Sequence, residues 1–418
     1  MSSLEDTRNH IEEILQQVAA SKKIIDYEMN LNMNVEVGDG FVSQFYKAQI
    51  VDKTGGAVLD VAIKKAPLWA FDFSSIFLNE INFYTQLLPA LNQLNTGFDN
   101  TPQCLLAEYN GEKTFIAMED LKPQGYQLYD KKKYFDAEHF ELIFRTYGKF
   151  HASSFALRKR QFEDYQKIQA KFKDVFGIFM EVEYSVQMFK SALSAAVDGL
   201  DPESPTYTLV KDIPENCKQI VLKSFEYSGK HRCSTHGDCW SNNMLFKYSP
   251  SDQLQDVKLI DFQLSRDGTP VHDLSYFFYS SASRADLARL EDYLKIYHQS
   301  LTETLEGLDE KVEDFLSWDE LLQEWKEHAA MGIFLGIYLW QIKLLDKGEY
   351  VDQLKSLNNE ESKEDKIGMN DATKMFITLL SQTISSDAYK ERSRNLLEHA
   401  QQYGVLTKEK IEQLLSSE

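Results

Sequence analysis

The sequence predicts an α+β protein in two lobes, a small lobe with an antiparallel sheet and a larger, mainly helical lobe. Three observations predict it. A chain of 418 residues, 43 % hydrophobic and 12 % aromatic, carries enough apolar surface for a large core and more than one lobe. Two β-prone runs, FVSQFYKAQIV at 41–51 and AVLDVAIKKA at 57–66, flank DKTGG, whose paired glycines suit a hairpin turn. From about residue 130 the apolar spacing becomes helical and rich in Phe and Tyr.

In chain order, residues 4–27 place Ile11, Ile14, Leu15 and Val18 at helical intervals, so an opening helix is expected. The strand pair follows. IFLNEINFYTQLLPAL at 76–91 has helical periodicity, and KTFIAMEDL at 113–121, after the turn-like NGE, is a further strand. The small lobe is thus expected over residues 1–121 and the helical lobe over 122–418. Within the latter, MLFKY at 244–248 and VKLIDFQ at 257–263 read as strands. Helices fill most of 284–418, with the charged NNEESKEDK at 358–366 as an exposed loop. MGIFLGIYLW at 331–340 is about half the length needed to cross a bilayer and reads as a core helix.

Charge excludes some partners. Lys+Arg 45 against Asp+Glu 65 gives a net charge of -20, which opposes binding along a polyphosphate backbone, while a local basic pocket for one small phosphate compound stays compatible with it. No nucleic acid, membrane or obligate protein partner is expected. Cys104, Cys217, Cys233 and Cys239 form no CxxC pair, and the polar, amphipathic N-terminus lacks the features of a secretory leader. A reduced, cytoplasmic setting is the expectation.

Four stretches, with one helix glutamate beside them, carry the side chains that phosphoryl transfer from a nucleotide requires. Gly38 and Gly40 in GDGFVS permit a tight turn that lets backbone amides approach phosphate oxygens, with Ser43 as a possible side-chain donor. Alone, they read as a hairpin turn with a strand-surface serine. Lys64 in VAIKK, one hairpin later, places a compact cation where phosphates would lie, whereas Lys65 falls on the opposite strand face and is expected to be solvated. Glu80 lies among Phe77, Ile81 and Tyr84 on an apolar helix, where an unpaired carboxylate is costly and Lys64 is the obvious partner.

HGDCWSNN and LIDFQ complete the set. Asp238 precedes Asn243 by five residues, and Asp261 stands immediately before Phe262. In a phosphotransferase Asp238 orients the attacking hydroxyl, while Asn243 and Asp261 supply the hard oxygens that magnesium prefers. His236 and Cys239 have no second pair at zinc-binding spacing.

These segments, together with HDLSYFF at 272–278, MEDLKPQGY at 118–126 and KFHASSFAL at 149–157, resemble the choline kinase and aminoglycoside phosphotransferase superfamily. More closely they resemble its insect ecdysteroid kinase-like, or CHK kinase-like, branch, over roughly residues 30–345. The resemblance implies a two-lobed protein-kinase-like fold with ATP between the lobes. It implies Asp238 as catalytic acid/base, Asn243 and Asp261 as Mg2+ ligands, and Lys64 with Glu80 as the phosphate-positioning pair. It also implies a hinge at Met118–Leu121, with backbone groups of Glu119 and Leu121 meeting adenine. GDGFVS departs from the protein-kinase glycine pattern at its last position.

The sequence also bears on the acceptor. Only eleven positions separate Asp261 from HDLSYFF, Gln263 replaces the glycine of an Asp-Phe-Gly motif, and no Ala-Pro-Glu signal follows, so a protein substrate is disfavoured. Phe140, Phe144, Tyr147, Phe172, Phe176, Phe179, Tyr184 and Phe189 mostly build helix cores. With Trp325, Phe334, Tyr338 and Trp340 they make a largely apolar alcohol, an ecdysteroid or hydroxylated xenobiotic, the expected acceptor. Choline or ethanolamine would instead need an aromatic cage with acids. A ligand-binding pseudokinase is the non-catalytic alternative.

Overall fold

The structure, a computed structural model, describes residues 4–37, 44–65, 74–345 and 378–416. Gly38, Gly40 and Ser43, and the 358–366 stretch expected as a loop, lie outside the described residues.

The smaller part is one helix laid on a sheet. Helix α1 (Leu4–Ser21) precedes strands β1 (Tyr27–Val37), β2 (Gln44–Asp52), β3 (Val58–Lys65), β4 (Cys104–Glu108) and β5 (Phe115–Glu119), which form an antiparallel sheet in the order β1-β2-β3-β5-β4. Ile11, Ile14, Leu15 and Val18 of α1 are buried in one core with Tyr46, Ile50, Val61, Ile63 and Phe115 of the sheet. Between β3 and β4, helix α2 (Ser74–Asn82) runs through a π-helical turn, Phe83–Leu87, into the short α3 (Leu88–Asn92).

Here the chain departs from the periodicity reading in three ways. The first helix ends at Ser21 rather than near 27, because Lys23 takes a left-handed φ of 58° that no helix continues through. The residues after it, YEMNLNMNVEV, are β1, whose apolar side chains recur at every second position. Lys65, expected in solvent, is only 8 % exposed, and its Nζ lies 2.8 Å from His10 Nδ1 of α1. Alternation sends it to the opposite face from Lys64, as expected, but that face is the one α1 covers.

The larger part holds β6 (Tyr126–Leu128), α4 (Ala137–Arg160), α5 (Phe162–Gln169), α6 (Val175–Met180), α7 (Glu183–Asp198), α8 (Pro205–Val210) and α9 (Cys217–Phe225). Then come β7 (Cys233–Thr235), β8 (Met244–Tyr248), β9 (Leu254–Leu259) and β10 (Arg266–Gly268), with β6-β8-β9 and β10-β7 pairing as two small sheets. Helices α10 (Pro270–Tyr279), α11 (Arg284–Leu287), α12 (Leu290–Glu306), α13 (Trp318–His328), α14 (Ala330–Leu344), α15 (Asp387–Tyr403) and α16 (Lys408–Leu415) follow.

Asp136 caps α4, its carboxylate accepting from His139 N at 3.1 Å, and three cations, Arg158, Lys159 and Arg160, sit in the last turn. The apolar 331–340 stretch is the buried heart of α14. That helix crosses α10 closely: a Cβ on Gly332 would stand 2.4 Å from the Ser275 carbonyl carbon, so only glycine fits. No helix among the described residues is long and apolar enough to cross a membrane. The four cysteines are free thiols, three of them buried.

Candidate active site

The side-chain alternation of β3 points Val61 and Ile63 into the core with α1 and turns Lys64 to the other face. There its Nζ meets Glu80 Oε2 at 2.5 Å and Asp261 Oδ1 at 2.6 Å. Glu80 rides on α2, and the adjacent Asn79 fixes that helix in place. Asn79 Nδ2 donates to the carbonyls of Lys173 (2.9 Å) and Gln263 (3.1 Å), and its Oδ1 accepts from Lys173 N at 2.8 Å. Burial opposes the charge on Lys64, yet Asp261 and Glu80 outweigh it and raise the lysine pKa. Burial raises Glu80 as well, so one cation is shared between two carboxylates.

The loop between β7 and β8 is held from below by Asp273 of α10. Its carboxylate accepts from His236 N at 2.7 Å, Gly237 N at 2.9 Å and His151 Nε2 at 3.1 Å. Gly237 adopts φ 83°, and a Cβ there would lie 2.1 Å from the Leu264 carbonyl oxygen, which explains the glycine of HGD. His236 spans the loop: its Nε2 donates to Ile260 O at 3.0 Å and its Nδ1 accepts from Asp238 N at 3.2 Å, fixing one neutral tautomer. Burial lowers its pKa, in keeping with that role.

Asp238 is clamped through both carboxylate oxygens. The Tyr276 hydroxyl donates to Oδ1 at 3.0 Å, and Asn243 Nδ2 donates to Oδ2 at 2.8 Å and to the Asp238 carbonyl at 3.0 Å. Burial, then the charge of Asp261, pushes the Asp238 pKa up to about 7, against the pull of hydrogen bonds from Tyr276, Asn243 and Gln263. A carboxyl poised near neutrality suits proton transfer at an attacking hydroxyl.

Strand pairing brings the other acid alongside. Met244 faces Leu259 across β8 and β9, and Ile260 N donates to Asn243 O at 3.0 Å, so Asn243 and Asp261 leave the same end of one hairpin. Asp261 is not on the strand, as the periodicity of VKLIDFQ suggests; β9 stops at Leu259, and Asp261 has left-handed dihedrals, φ 68° and ψ 62°. Packing holds this strained turn. The Phe262 ring stacks on Phe83 with centroids 3.5 Å apart and lies 4.3 Å from His236.

At the proposed hinge, Met118 pairs with Ala62 and Cys104. The Glu119 amide donates to Gln103 O at 3.0 Å, and Leu121 O accepts from Gln124 N and Tyr126 N. These two groups are therefore engaged within the chain, whereas the Leu121 amide donates to no described residue. Sequence reasoning gave no role to Tyr276 or Asn79 and treated Gln263 only as a departure from glycine. The signal for Tyr276 was its place three residues after Asp273 in HDLSYFF, one helical turn along the face that meets the loop. Among the aromatics expected near an acceptor, Phe140, Phe144 and Tyr147 are wholly buried core, while Tyr184 is exposed.

A buried lysine shared by two carboxylates, beside a loop carboxylate clamped by an asparagine, on a small sheet and a larger helical body, is the arrangement of a kinase-like phosphotransferase. A family model described as the ecdysteroid kinase-like family matches residues 37–310, and the chain belongs to that family. No curated protein matches it. Among solved structures it is similar to a choline kinase from Cryptosporidium parvum Iowa II, at 13 % identity and TM-score 0.42, over 94 % of this chain and 98 % of that one. It is also similar to an ethanolamine kinase from Plasmodium vivax, at 12 % identity and TM-score 0.40, over 91 % of this chain and 85 % of that one. A glucosamine kinase aligns at 12 % identity and TM-score 0.39, over 82 % of this chain and 83 % of that one.

Proposed function

We propose that the protein is an ATP-dependent kinase that transfers the γ-phosphoryl group to a hydroxyl of a largely apolar alcohol, an ecdysteroid or hydroxylated xenobiotic, in the cytoplasm. The observation that carries the reading is the meeting of Lys64 with Glu80 and Asp261 beside an Asp238 held by Asn243.

In this reading Asp238 orients the acceptor hydroxyl and takes its proton as the oxygen attacks the γ-phosphorus, work worth about 10²–10⁴-fold in rate. Lys64, kept in place by Glu80, binds phosphate oxygens. Glu119 and Leu121 offer adenine their remaining backbone groups beside Met118, and Gly38, Gly40 and Ser43 are assigned to nucleotide binding from the sequence alone. The donor set fits magnesium. The Asn243 amide nitrogen is spent on Asp238, which leaves its oxygen, and Asp261 adds a carboxylate, both hard donors. Bound there, Mg2+ would neutralise developing phosphate charge.

The alcohol is assigned to a cavity of about 300 Å³ lined by Tyr184, Met188, Ser191, Gln341, Leu380 and Ile384, between α7 and α14. Tyr338 of α14 is stacked on Phe189 of α7, with ring centroids 4.0 Å apart, which packs the two helices together beside this cavity. Glu183, Gln187 and Ser381 complete the lining, which suits an apolar body that also carries several hydroxyl groups.

The test incubates the protein with ATP, Mg2+ and a panel of ecdysteroids, hydroxylated aromatics, choline and ethanolamine, reading phosphorylated product by mass. The expected result is product from the apolar alcohols and none from choline, with turnover abolished in Asp238→Asn while ATP binding persists. Phosphocholine as the sole product would overturn the acceptor assignment, and unchanged turnover in Asp238→Asn would overturn the role of that residue.

A further inference from the structure

Away from the cleft, one turn of α13 gathers three groups that no part of the kinase reading uses. Glu324 stands three residues before Glu327 and four before His328, one helical turn from each, and one donor atom from each of the three lies within 4.8 Å of the others. Glu324 Oε1 is 4.0 Å and Glu327 Oε2 3.9 Å from the same atom, His328 Nε2. Those separations are too long for hydrogen bonds.

The surroundings sharpen the point. Glu324 is only 6 % exposed, and its Oε1 has no hydrogen-bond partner among the described residues. Burying a carboxylate oxygen without a partner is costly, and a cation is what offsets it. The other oxygen of Glu327, Oε1, already accepts from Gln323 Nε2 at 2.7 Å. The Tyr227 ring lies edge-on to that of His328, with centroids 4.9 Å apart, and burial, then Glu324, raises the pKa of its hydroxyl, so Tyr227 stands beside both side chains. On the far side His272 Nε2, also buried and unpartnered, sits on a ring 6.2 Å from that of His328. Because Arg266 Nη2 donates to His272 Nδ1 at 3.2 Å, this Nε2 carries the hydrogen and can donate to a metal-bound water rather than ligate.

We propose that Glu324, Glu327 and His328 form a binding site for one divalent transition-metal ion, zinc by its donor set, separate from and independent of the proposed nucleotide magnesium site. One imidazole nitrogen with two carboxylate oxygens is a zinc-type set, whereas the imidazole disfavours magnesium. Bonds of about 2.1 Å bring tetrahedral donors to roughly 3.4 Å from one another, so the site would have to contract on binding. Through Tyr227, whose hydroxyl also accepts from His231 N at 2.9 Å, the ion would tie α13 to the segment entering β7.

The test is a Zn2+ titration of the full chain by calorimetry in saturating Mg2+, paired with the visible absorption of added Co2+. The expected result is one ion per chain, with binding weakened about tenfold or more in His328→Ala and in Glu327→Gln and the Co2+ band lost in the former. Glu327 is half exposed, so its variant is not at risk of unfolding, and circular dichroism checks His328→Ala. Absence of Zn2+ binding by the unmodified chain, or equal binding by it and Glu327→Gln, overturns the proposal whatever the kinase assays show.

Discussion

Lys64 and Lys65 are neighbours in β3, both nearly buried, yet their surroundings are opposite. Lys64 enters the cleft and meets two carboxylates at 2.5 and 2.6 Å, which raise its pKa against the effect of burial. Lys65 goes under α1 and meets a histidine, and burial, then the charge of Lys113, lowers its pKa. The difference teaches what each face is for. Where a buried cation is surrounded by more negative charge than it can neutralise, the fold has concentrated charge at a place that handles charged substrates. Where a lysine is merely sealed in beside an imidazole, its stem supplies packing and its ammonium is tolerated.

Breaking the cleft face has the largest expected effect. Lys64→Met removes the cation shared by Glu80 and Asp261, so two carboxylates are left facing one another in a buried site. Turnover in the phosphoryl-transfer assay is expected to fall by about 10²–10³-fold, as for loss of a donor to developing charge. Stability is expected to fall by about 3 kcal/mol in denaturant titration, as when one partner of a buried pair is removed. Glu80→Gln comes next. It leaves Lys64 paired with Asp261, and because burial already disfavours the Glu80 charge, the expected stability loss is only about 1 kcal/mol, with turnover down about tenfold. If Glu80→Gln proved as damaging as Lys64→Met, the lysine would depend on α2 and not on Asp261 for its position.

The two faces also mark what could be read from the sequence. The Lys64–Glu80 pair was legible because a carboxylate among apolar neighbours is costly and implies a cation elsewhere, whereas Asp238, Asn243 and Asp261 were singled out by the motifs HGDCWSNN and LIDFQ and their resemblance to a kinase-like family. The strand pair and α14 were legible from periodicity. β1 was not read as a strand, although its alternation is regular: its polar positions are asparagine and glutamate, which lack β propensity, and the helical run before it hid the boundary. Burial of Lys65 was unreadable for a different reason. Alternation tells which face a residue takes but not whether that face is covered, and the covering helix lies 55 residues away in sequence. Tyr276 escaped because its target, Asp238, is 38 residues distant and only the fold brings them together.

The smallest effect belongs to the α1 face, and its pH dependence separates the two lysines. Lys65→Met keeps the stem and deletes an ammonium that burial disfavours, so turnover is expected to be unchanged and the melting midpoint at neutral pH to move by no more than about 2 °C. His10 supplies the finer readout. Its pKa is held below the ordinary 6.5 by burial, then by Lys65 and Lys113, with Glu13 and Glu108 pulling the other way. The folded imidazole therefore binds protons less readily than the unfolded one, so the stability it contributes is complete above pH 6.5 and is lost as the pH falls through the folded value. Removing the Lys65 charge relieves one of the causes, and the acid slope of the melting midpoint is expected to flatten in Lys65→Met. A slope identical to that of the unmodified chain would show that the two side chains do not interact, and that burial beneath α1 alone governs this face.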